Sequence, residues 1–361
     1  MRLVTTTSVE AGTILAKAIY NETGQILLNE GIELKEGMIQ RLQTLGVSYI
    51  YIKDSQTDDI EYIGTLTDSL RREAIQTINS TFQQLQKDPK LTSSFVIEKA
   101  SRRFSELIRN LLAELKENKE LLNLLSDAYT YDHYIFTHSL NVTLYSLAIG
   151  MELKLSPKEI EILGLGAIFH DVGKLNVPLE VLLKPGRLTE DEYLAIKKHA
   201  EDGFQILKKV QTIPLLVAHC AYQHHERMNG SGYPRGITDC DIHKFAKIIA
   251  VADVFDAVTS NRVYRKAMLP HEGLEILYAG SGTLFEQKVV EAFRLAVAIY
   301  PVGITVELND GRKGIVSEQN IGLGDRPIIR ILQHNGEKVA PYSIDLKTEL
   351  SITITGCDTA F

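Results

Sequence analysis

The chain has few cysteines, no long apolar run and no excess of positive charge. Its three cysteines, Cys220, Cys240 and Cys357, are widely spaced and form no CxxC pair, which argues against a disulfide framework and a cysteine-based zinc site. No long apolar stretch follows Arg2, so the N-terminus is not a signal peptide, and no apolar run approaches the roughly 18 residues of a membrane helix. We therefore expect a cytoplasmic protein with no membrane partner.

Basic residues are outnumbered by acidic ones, 39 against 46, which gives a net charge of −7. Because non-specific binding of a nucleic acid polymer requires basic surface, this class of partner is not expected. The 361 residues predict two or three domains, and the contents of hydrophobic (44%) and charged (24%) residues are those of a globular protein. What the chain does concentrate is histidine, since eight of its 10 histidines lie between His133 and His243.

The chain changes character along its length, which predicts a multidomain protein of four parts. Residues 1–65 alternate short apolar runs with turn sequences and form a small α/β accessory unit. Residues 66–127 contain no glycine and one proline, and the helical spacing of their apolar residues predicts a helical connector. Residues 128–300 are predicted to be an all-α domain. Residues 301–361 are predicted to be a small β domain, because alternating strands lead into Asn-Asp-Gly and Asn-Gly turns.

Individual elements can be predicted within these parts. The accessory unit has strand-like runs at Ile14–Tyr20 and Gln25–Leu28, a helix over Lys35–Leu45 and a strand over Val47–Ile52. Two alternatives stay open for the connector. Its helices either pack on the next domain or form a dimerising or signal-relaying coil, which would make the protein a homodimer.

The central domain carries a series of short histidine and carboxylate motifs. Together they supply five imidazoles and two carboxylates on or beside apolar helical segments, where burying a charge is costly unless a cation is bound. Imidazole and carboxylate without thiolate suit iron, manganese or zinc in open sites. Seven ligands are too many for one metal with room for substrate, so we expect two metals bridged by a carboxylate such as Asp171, which would clamp a phosphoester. The candidate ligands are His138, His170, Asp171, His199, His224, His225 and Asp253.

Lys174 lies one helical turn after His170 if the helix continues that far. Its ammonium group could bind a phosphoryl oxygen or protonate a leaving group. The alternative is a lysine that only stabilises the C-terminus of a helix.

Over residues 128–300 the sequence resembles the HD-GYP family, a branch of the HD phosphohydrolases. The motifs that carry the resemblance are Phe136 to Val142, His170 to Lys174, Lys198-His199, His224 to Pro234 and Asp253 to Arg265. The resemblance implies an all-helical catalytic domain with a binuclear or trinuclear centre, commonly iron. It also implies hydrolysis of cyclic di-GMP to pGpG or GMP.

The resemblance also implies roles for single residues. The seven candidate ligands match the metal ligands of the family, and Lys174 matches a lysine implicated in hydrolysis. Asp256, Arg262 and Arg265 match positions near the substrate phosphates and bases, and arginine can bind a phosphate bidentately. Tyr233, in the Gly232-Tyr233-Pro234 loop, could stack on guanine, or it could be a turn tyrosine that packs on its own helix.

The sequence departs from the family pattern at four places. Tyr134 stands where members with a third metal have glutamate, so two divalent metals are expected, iron with manganese as the alternative. Asn229 replaces a frequent aspartate, Val263 a frequent proline, and Phe285-Glu286-Gln287 a common Phe-Asp-Pro. None of these removes a ligand or Lys174.

We therefore expect a cyclic di-GMP phosphodiesterase that uses a hydroxide bridging two metals, with Asp171 and Lys174 as catalytic residues. One alternative is a sensor or adaptor that binds cyclic di-GMP, or a diguanylate cyclase domain, without useful catalysis. The other is an HD phosphohydrolase that acts on another nucleotide. The remaining histidines are interpreted as structural or surface residues; they are His133, His219, His243, His271 and His334.

Overall fold

The fold is described from a computed structural model over residues 1–20, 26–45, 47, 49–60, 66–87, 94–117, 134–182, 184, 186–260, 268 and 270–357. The helices of this part are α1 (Glu36–Thr44), α2 (Asp68–Lys87), α3 (Ser94–Glu117), α4 (Tyr134–Glu152), α5 (Pro157–Phe169), α6 (Leu179–Leu182), α7 (Glu190–Lys197), α8 (His199–Leu207), α9 (Leu215–Gln223), α10 (Lys244–Thr259), α11 (Pro270–Gly280) and α12 (Gln287–Ala296). The strands are β1 (Arg2–Thr5), β2 (Ile19–Tyr20), β3 (Ile26–Leu28), β4 (Tyr49–Ile52), β5 (Thr305–Leu308), β6 (Arg312–Glu318), β7 (Ile328–His334), β8 (Glu337–Asp345) and β9 (Ile354–Cys357).

The N-terminal residues form two antiparallel strand pairs, β1 with β4 and β2 with β3, around α1. Their apolar side chains make a small core of their own, which includes Leu15, Leu34 and Leu42. The predicted helix and strands are present with shorter bounds. The predicted turn at 21–24 lies outside the described residues.

The connector helices α2 and α3 pack on the helical domain. The apolar positions of α3 that the sequence identified are buried, and the Phe104 ring meets the Phe169 ring of α5 edge-on at 5.0 Å between centroids. Ile108 of α3 lies against Gly164 of α5, where an added Cβ atom would be 3.0 Å from the Ile108 side chain. This packing supports the first of the two alternatives for the connector, and the homodimer stays a prediction.

The helical domain begins its elements where the capping sequences predict. Ser156 and Glu159 form a reciprocal capping box at the start of α5, and Thr189 and Glu192 form another at the start of α7. The helix α10 is apolar on nearly all sides and is buried, as its sequence predicts. In the described ranges, none of the helices combines the length and the apolar character that a membrane crossing requires.

The C-terminal residues form an antiparallel five-stranded sheet in the order β8-β7-β6-β5-β9. Both predicted hairpin turns are confirmed, one between β5 and β6 and the other between β7 and β8. In the second turn Asn335 and Gly336 have φ angles of 51° and 84°, the left-handed pair that an Asn-Gly hairpin turn requires.

The two ends of the chain meet, although the sequence predicts them as separate parts. The backbone N–H of Leu3 donates to the carbonyl of Gly303 at 2.8 Å, which sets β1 beside the C-terminal sheet. The Arg330 guanidinium of β7 binds both carboxylate oxygens of Asp59, at 2.6 and 2.8 Å. No short-range sequence pattern predicts the contact between Arg330 and Asp59, because the two residues are separated by about three quarters of the chain.

Candidate metal centre

Helix ends position three of the candidate histidines. His170 and His224 directly follow α5 and α9, and His199 opens α8 immediately after α7. Their Nδ1 atoms lie 2.6, 3.0 and 2.7 Å, respectively, from the carbonyl oxygen three residues earlier. Carbonyls in the last turn of a helix lack backbone partners, so each accepts an imidazole N–H. This bond fixes the tautomer and leaves Nε2 of each ring as a lone-pair donor.

The Asp171 carboxylate lies at the centre of these rings. Its Oδ1 is 3.3 Å from His199 Nε2 and 3.8 Å from His224 Nε2. Its Oδ2 is 3.3 Å from His170 Nε2 and 3.7 Å from His138 Nε2. The two oxygens therefore face two different sets of imidazoles.

Two groups of possible ligands overlap at this carboxylate. Within each group the candidate ligand atoms lie within 4.8 Å of one another. One group consists of Asp171, His199, His224 and His225, and the other of His138, His170 and Asp171. A carboxylate shared in this way has the position of a ligand that bridges two metal ions.

The helix α10 brings Asp253 to the same centre. Asp253 Oδ1 lies 3.2 Å from His138 Nε2 and 4.0 Å from His170 Nε2, and Oδ2 lies 3.8 Å from His225 Nδ1. All seven candidate ligands of the sequence analysis are therefore brought together in one buried place.

One turn further along α10, Asp256 lies behind His138. Its Oδ2 accepts a hydrogen bond from His138 Nδ1 at 2.7 Å, and its Oδ1 accepts one from Asn141 Nδ2 at 2.8 Å. The residue is 1% exposed, so it cannot reach a substrate without breaking both bonds. The structure thus places the Asp256 side chain away from the position that the predicted contact with substrate would require. Its geometry is that of a carboxylate that orients a metal-binding histidine.

Replacing Asp256 with asparagine should therefore lower the affinity for metal. The change keeps the volume and removes the charge that holds His138, and the loss of such an outer partner typically costs about 10–100-fold in metal affinity. Titration of the metal-free variant with manganese would measure this. Asp310→Asn, which changes an aspartate paired with Arg312 in the C-terminal sheet, is the matched control. Equal affinities for the Asp256 variant and the control would contradict the positioning role.

The carboxylates of the centre are held in the charged form. Burial favours the neutral form of Asp171, but Lys174 and the nearby histidines outweigh it and hold the pKa of Asp171 well below its usual value. Burial likewise opposes ionisation of Asp253, and His138 and His225 bring its pKa well below the ordinary range. Two permanent negative charges in an apolar surrounding favour a bound cation.

The histidines differ in protonation. Burial opposes a charge on His138, but its bonds to Asp253 and Asp256 dominate and raise the pKa of this ring to about 9. Burial and the charges of neighbouring histidines hold the pKa values of His224 and His225 well below the usual value. Neutral imidazoles such as these are the form that binds a metal, and a metal at His138 must displace a proton.

The residues fit a metal ion by a second criterion. His170 Nε2 and Asp171 Oδ1 are sealed from solvent, yet neither has a hydrogen-bond partner within the described ranges. Buried polar atoms in native proteins are normally hydrogen-bonded, so an ion that both atoms bind would account for them.

Lys174 reaches the centre from a short 3₁₀ helix and not from a continued α helix. The helix α5 ends at Phe169, and residues 172–176 form the 3₁₀ turn that follows. The ammonium group of Lys174 donates to Asp171 Oδ2, so it lies at the edge of the carboxylate that both ligand groups share.

Glu226, which follows the histidine pair His224-His225, binds the backbone of the loop that carries Tyr233. Glu226 is 2% exposed, and its carboxylate accepts the backbone N–H groups of Arg235 and Ile237 at 2.8 and 3.2 Å. The Tyr233 ring consequently stacks on the His225 ring, with 4.6 Å between centroids and 25° between planes. Burial raises the pKa of the Tyr233 phenol, which stays neutral.

Some predicted residues lie outside the described residues, and others lie away from the candidate centre. Arg262, Arg265 and His133 lie outside the described residues, as do Val263 and the side chain of Tyr134. The other four histidines are away from the centre: His219 beside Phe204, His243 as the N-cap of α10, His271 beside Tyr300, and His334 in β7.

Sequence reasoning missed two polar residues that shape the centre. Asn141 lies within the motif Phe136 to Val142, and its spacing of three from His138 places both residues on one face of α4. Glu226 directly follows the histidine pair, and nothing in the local pattern shows that its carboxylate binds a loop nine residues later.

Residues 92–289 match the family model described as the HD domain. The matched range includes α3, which the sequence analysis assigned to the connector. Among similar proteins, a cyclic di-GMP phosphodiesterase of Pseudomonas aeruginosa is 36% identical over 216 residues, which are 60% of this chain and 52% of that protein. The cyclic di-GMP phosphodiesterase response regulator RpfG of Xanthomonas campestris is 38% identical over 201 residues, 54% of this chain and 53% of that protein.

A third similar protein is named for a different substrate. The 3'3'-cGAMP-specific phosphodiesterase 1 of Vibrio cholerae is 41% identical over 146 residues, 40% of this chain and 33% of that protein. The chain spans about half the length of the first two relatives and a third of this one.

Proposed function

Because this chain belongs to the HD domain family, in the HD-GYP branch that its motifs resemble, we propose that it is a phosphodiesterase that hydrolyses cyclic di-GMP to pGpG or GMP. The observation that carries the proposal is the buried cluster in which two groups of possible metal ligands share Asp171. The names of the P. aeruginosa and X. campestris relatives support the choice of substrate.

We propose that the centre holds two divalent metal ions, iron with manganese as the alternative. Such a pair would supply Lewis acidity on both sides of a phosphodiester. The proposed ligands are the seven residues that face one another there: His138, His170, Asp171, His199, His224, His225 and Asp253.

The chain's own groups have separate tasks in this proposal. Asp171 supplies the negative charge between the two ligand groups. The Lys174 ammonium group, beside Asp171 Oδ2, can bind a phosphoryl oxygen or give a proton to the leaving oxygen. Tyr233 shapes the rim of the site. Arg262 and Arg265, which lie outside the described residues, remain proposed contacts for the substrate phosphates and bases.

The organisation of the chain is also a proposal. We infer an accessory unit over residues 1–65, a helical connector over 66–127, the catalytic domain over 128–300 and a β domain over 301–361. A cytoplasmic location, a homodimer through the connector and a diguanylate cyclase partner belong to the same proposal. The hydrogen bond from Leu3 to Gly303 supports treating the two ends as neighbours.

The test combines metal analysis with product identification. Protein purified without oxygen should contain about two metal ions per chain, as a paired site requires. Chromatography after incubation with cyclic di-GMP should show pGpG or GMP. Tight binding of the nucleotide without turnover, after loading with iron or manganese, would show the sensor or adaptor instead.

A second candidate substrate is 3'3'-cGAMP, favoured by the identity of 41% to the V. cholerae enzyme named for it. The same assay with both dinucleotides at equal concentration decides between them. A kcat/KM for 3'3'-cGAMP well above that for cyclic di-GMP would replace the first substrate with the second.

A further inference from the structure

A line of side chains runs outward from the candidate metal centre. His225 stacks on Tyr233, and the Lys197 ammonium group lies over the Tyr233 ring at 4.9 Å from its centroid. The same ammonium group lies 4.6 Å from the centroid of the Tyr193 ring, which is 48% exposed. Lys197 is therefore held by two tyrosines between the centre and the solvent.

Aromatic contacts hold the Lys197 ammonium group without occupying its hydrogens. A ring attracts a cation through the negative charge of its face, while the three N–H donors of lysine remain able to bind oxygen. In the described part of the chain, no carboxylate lies within ion-pair distance of Lys197 Nζ.

Two other cations near the centre, Lys174 and Arg227, are already engaged. Lys174 binds Asp171. Arg227 donates to the carbonyls of His224 and Glu226, at 3.2 and 2.9 Å, and its guanidinium lies over a phenylalanine ring. Unlike Lys174 and Arg227, Lys197 therefore has donors that can turn to a ligand.

A cyclic dinucleotide carries two phosphodiester groups, and the candidate metal centre can take only one of them. The second phosphodiester group is also negatively charged, and a chain with a net charge of −7 offers it no general attraction, so a nearby cation would stabilise it. We propose that Lys197, held between Tyr193 and Tyr233, binds the phosphate of the cyclic dinucleotide that does not undergo hydrolysis. This inference rests on the proposed function.

The test compares a substrate that has two phosphates with one that has a single phosphate. Lys197→Met should lower kcat/KM for cyclic di-GMP about tenfold, mainly through KM, which is the usual size for a lost hydrogen bond to a charged group. Hydrolysis of bis(p-nitrophenyl) phosphate, which has one phosphate, should not change. Lys197→Arg should restore most of the activity on cyclic di-GMP because it keeps the charge.

Lys208→Met is the matched control. Lys208 also ends a helix and lies over an aromatic ring, that of Phe204, at 5.3 Å. It is at the opposite end of α8 from His199, about 13 Å away at 1.5 Å per residue. This variant should keep the wild-type kcat/KM for both substrates.

The possible results separate the inference from the function on which it rests. If Lys197→Met hydrolyses cyclic di-GMP as the wild type does, or loses activity equally on both substrates, the inference is wrong and the proposed function stands. An equal loss in Lys208→Met would overturn it in the same way. If the wild type hydrolyses bis(p-nitrophenyl) phosphate but not cyclic di-GMP, the proposed function fails and the inference fails with it.

Discussion

Replacing Asp171 with asparagine is expected to remove both bound metal and phosphodiesterase activity. The carboxylate faces His199 and His224 with one oxygen and His138 and His170 with the other, so its loss affects both ligand groups at once. Loss of a mere outer partner costs about 10–100-fold in metal affinity, and loss of the shared ligand should cost at least about 100-fold. Metal analysis after gel filtration and the rate of cyclic di-GMP hydrolysis measure the two effects.

The matched control is Asp239→Asn. Asp239 is also paired with a lysine, Lys247, but it belongs to a short 3₁₀ helix outside the candidate centre. It should keep the metal content and rate of the wild type. A fully active Asp171→Asn variant that retains its metals would show that this carboxylate is not a ligand and that the centre lies elsewhere.

Replacing Gly173 with alanine is expected to disrupt the same centre by a steric route. An added Cβ would lie 2.0 Å from the His199 carbonyl oxygen and 2.6 Å from the Gly203 backbone nitrogen. Both obstacles are backbone, so the 3₁₀ turn must move away from α8. That movement would separate Asp171 and Lys174 from His199. Overpacking of this kind typically costs about 1–3 kcal/mol and occasionally more, and we expect at least the upper value here.

Gly37→Ala provides the comparison for this substitution. An added Cβ at Gly37, in α1, meets nothing within 4 Å. Since alanine favours a helix over glycine by about 0.5–1 kcal/mol, this variant should be as stable as the wild type or slightly more so. Thermal unfolding midpoints and metal contents would be compared. Gly173→Ala protein with an unchanged midpoint and full metal content would show that the turn adapts without moving the site.

The accuracy of the sequence predictions depends on how far apart the interacting residues lie. The starts of α5 and α7 follow from capping boxes that span four residues, and the two hairpins follow from turn sequences between alternating strands. Such signals act over one turn of chain and need no tertiary context. The sequence does not reveal where α5 ends, because the 3₁₀ turn that follows Phe169 packs against the backbone of α8, which comes later in the chain.

The same distinction between local signals and distant contacts applies to the candidate metal centre. The types of its residues and the order of its motifs identify the seven possible ligands without any coordinates. The role of Asp256 could not be predicted in this way, because its partners His138 and Asn141 lie on another helix, 118 and 115 residues earlier in the chain. Only the packing of α10 against α4 turns its carboxylate towards His138 Nδ1 and Asn141.

The sequence by itself therefore argued against a disulfide framework and a cysteine-based zinc site. It determined the helical nature of the central domain and the histidine and carboxylate set that points to metal. These depend on composition and on local spacing. Tertiary structure alone decided that Asp171 is shared by two ligand groups, that Asp256 orients His138, that Lys197 lies between two tyrosines and that the two ends of the chain meet. The physical reason is that each of these contacts joins residues from different elements, and helix packing brings them to within a few ångströms.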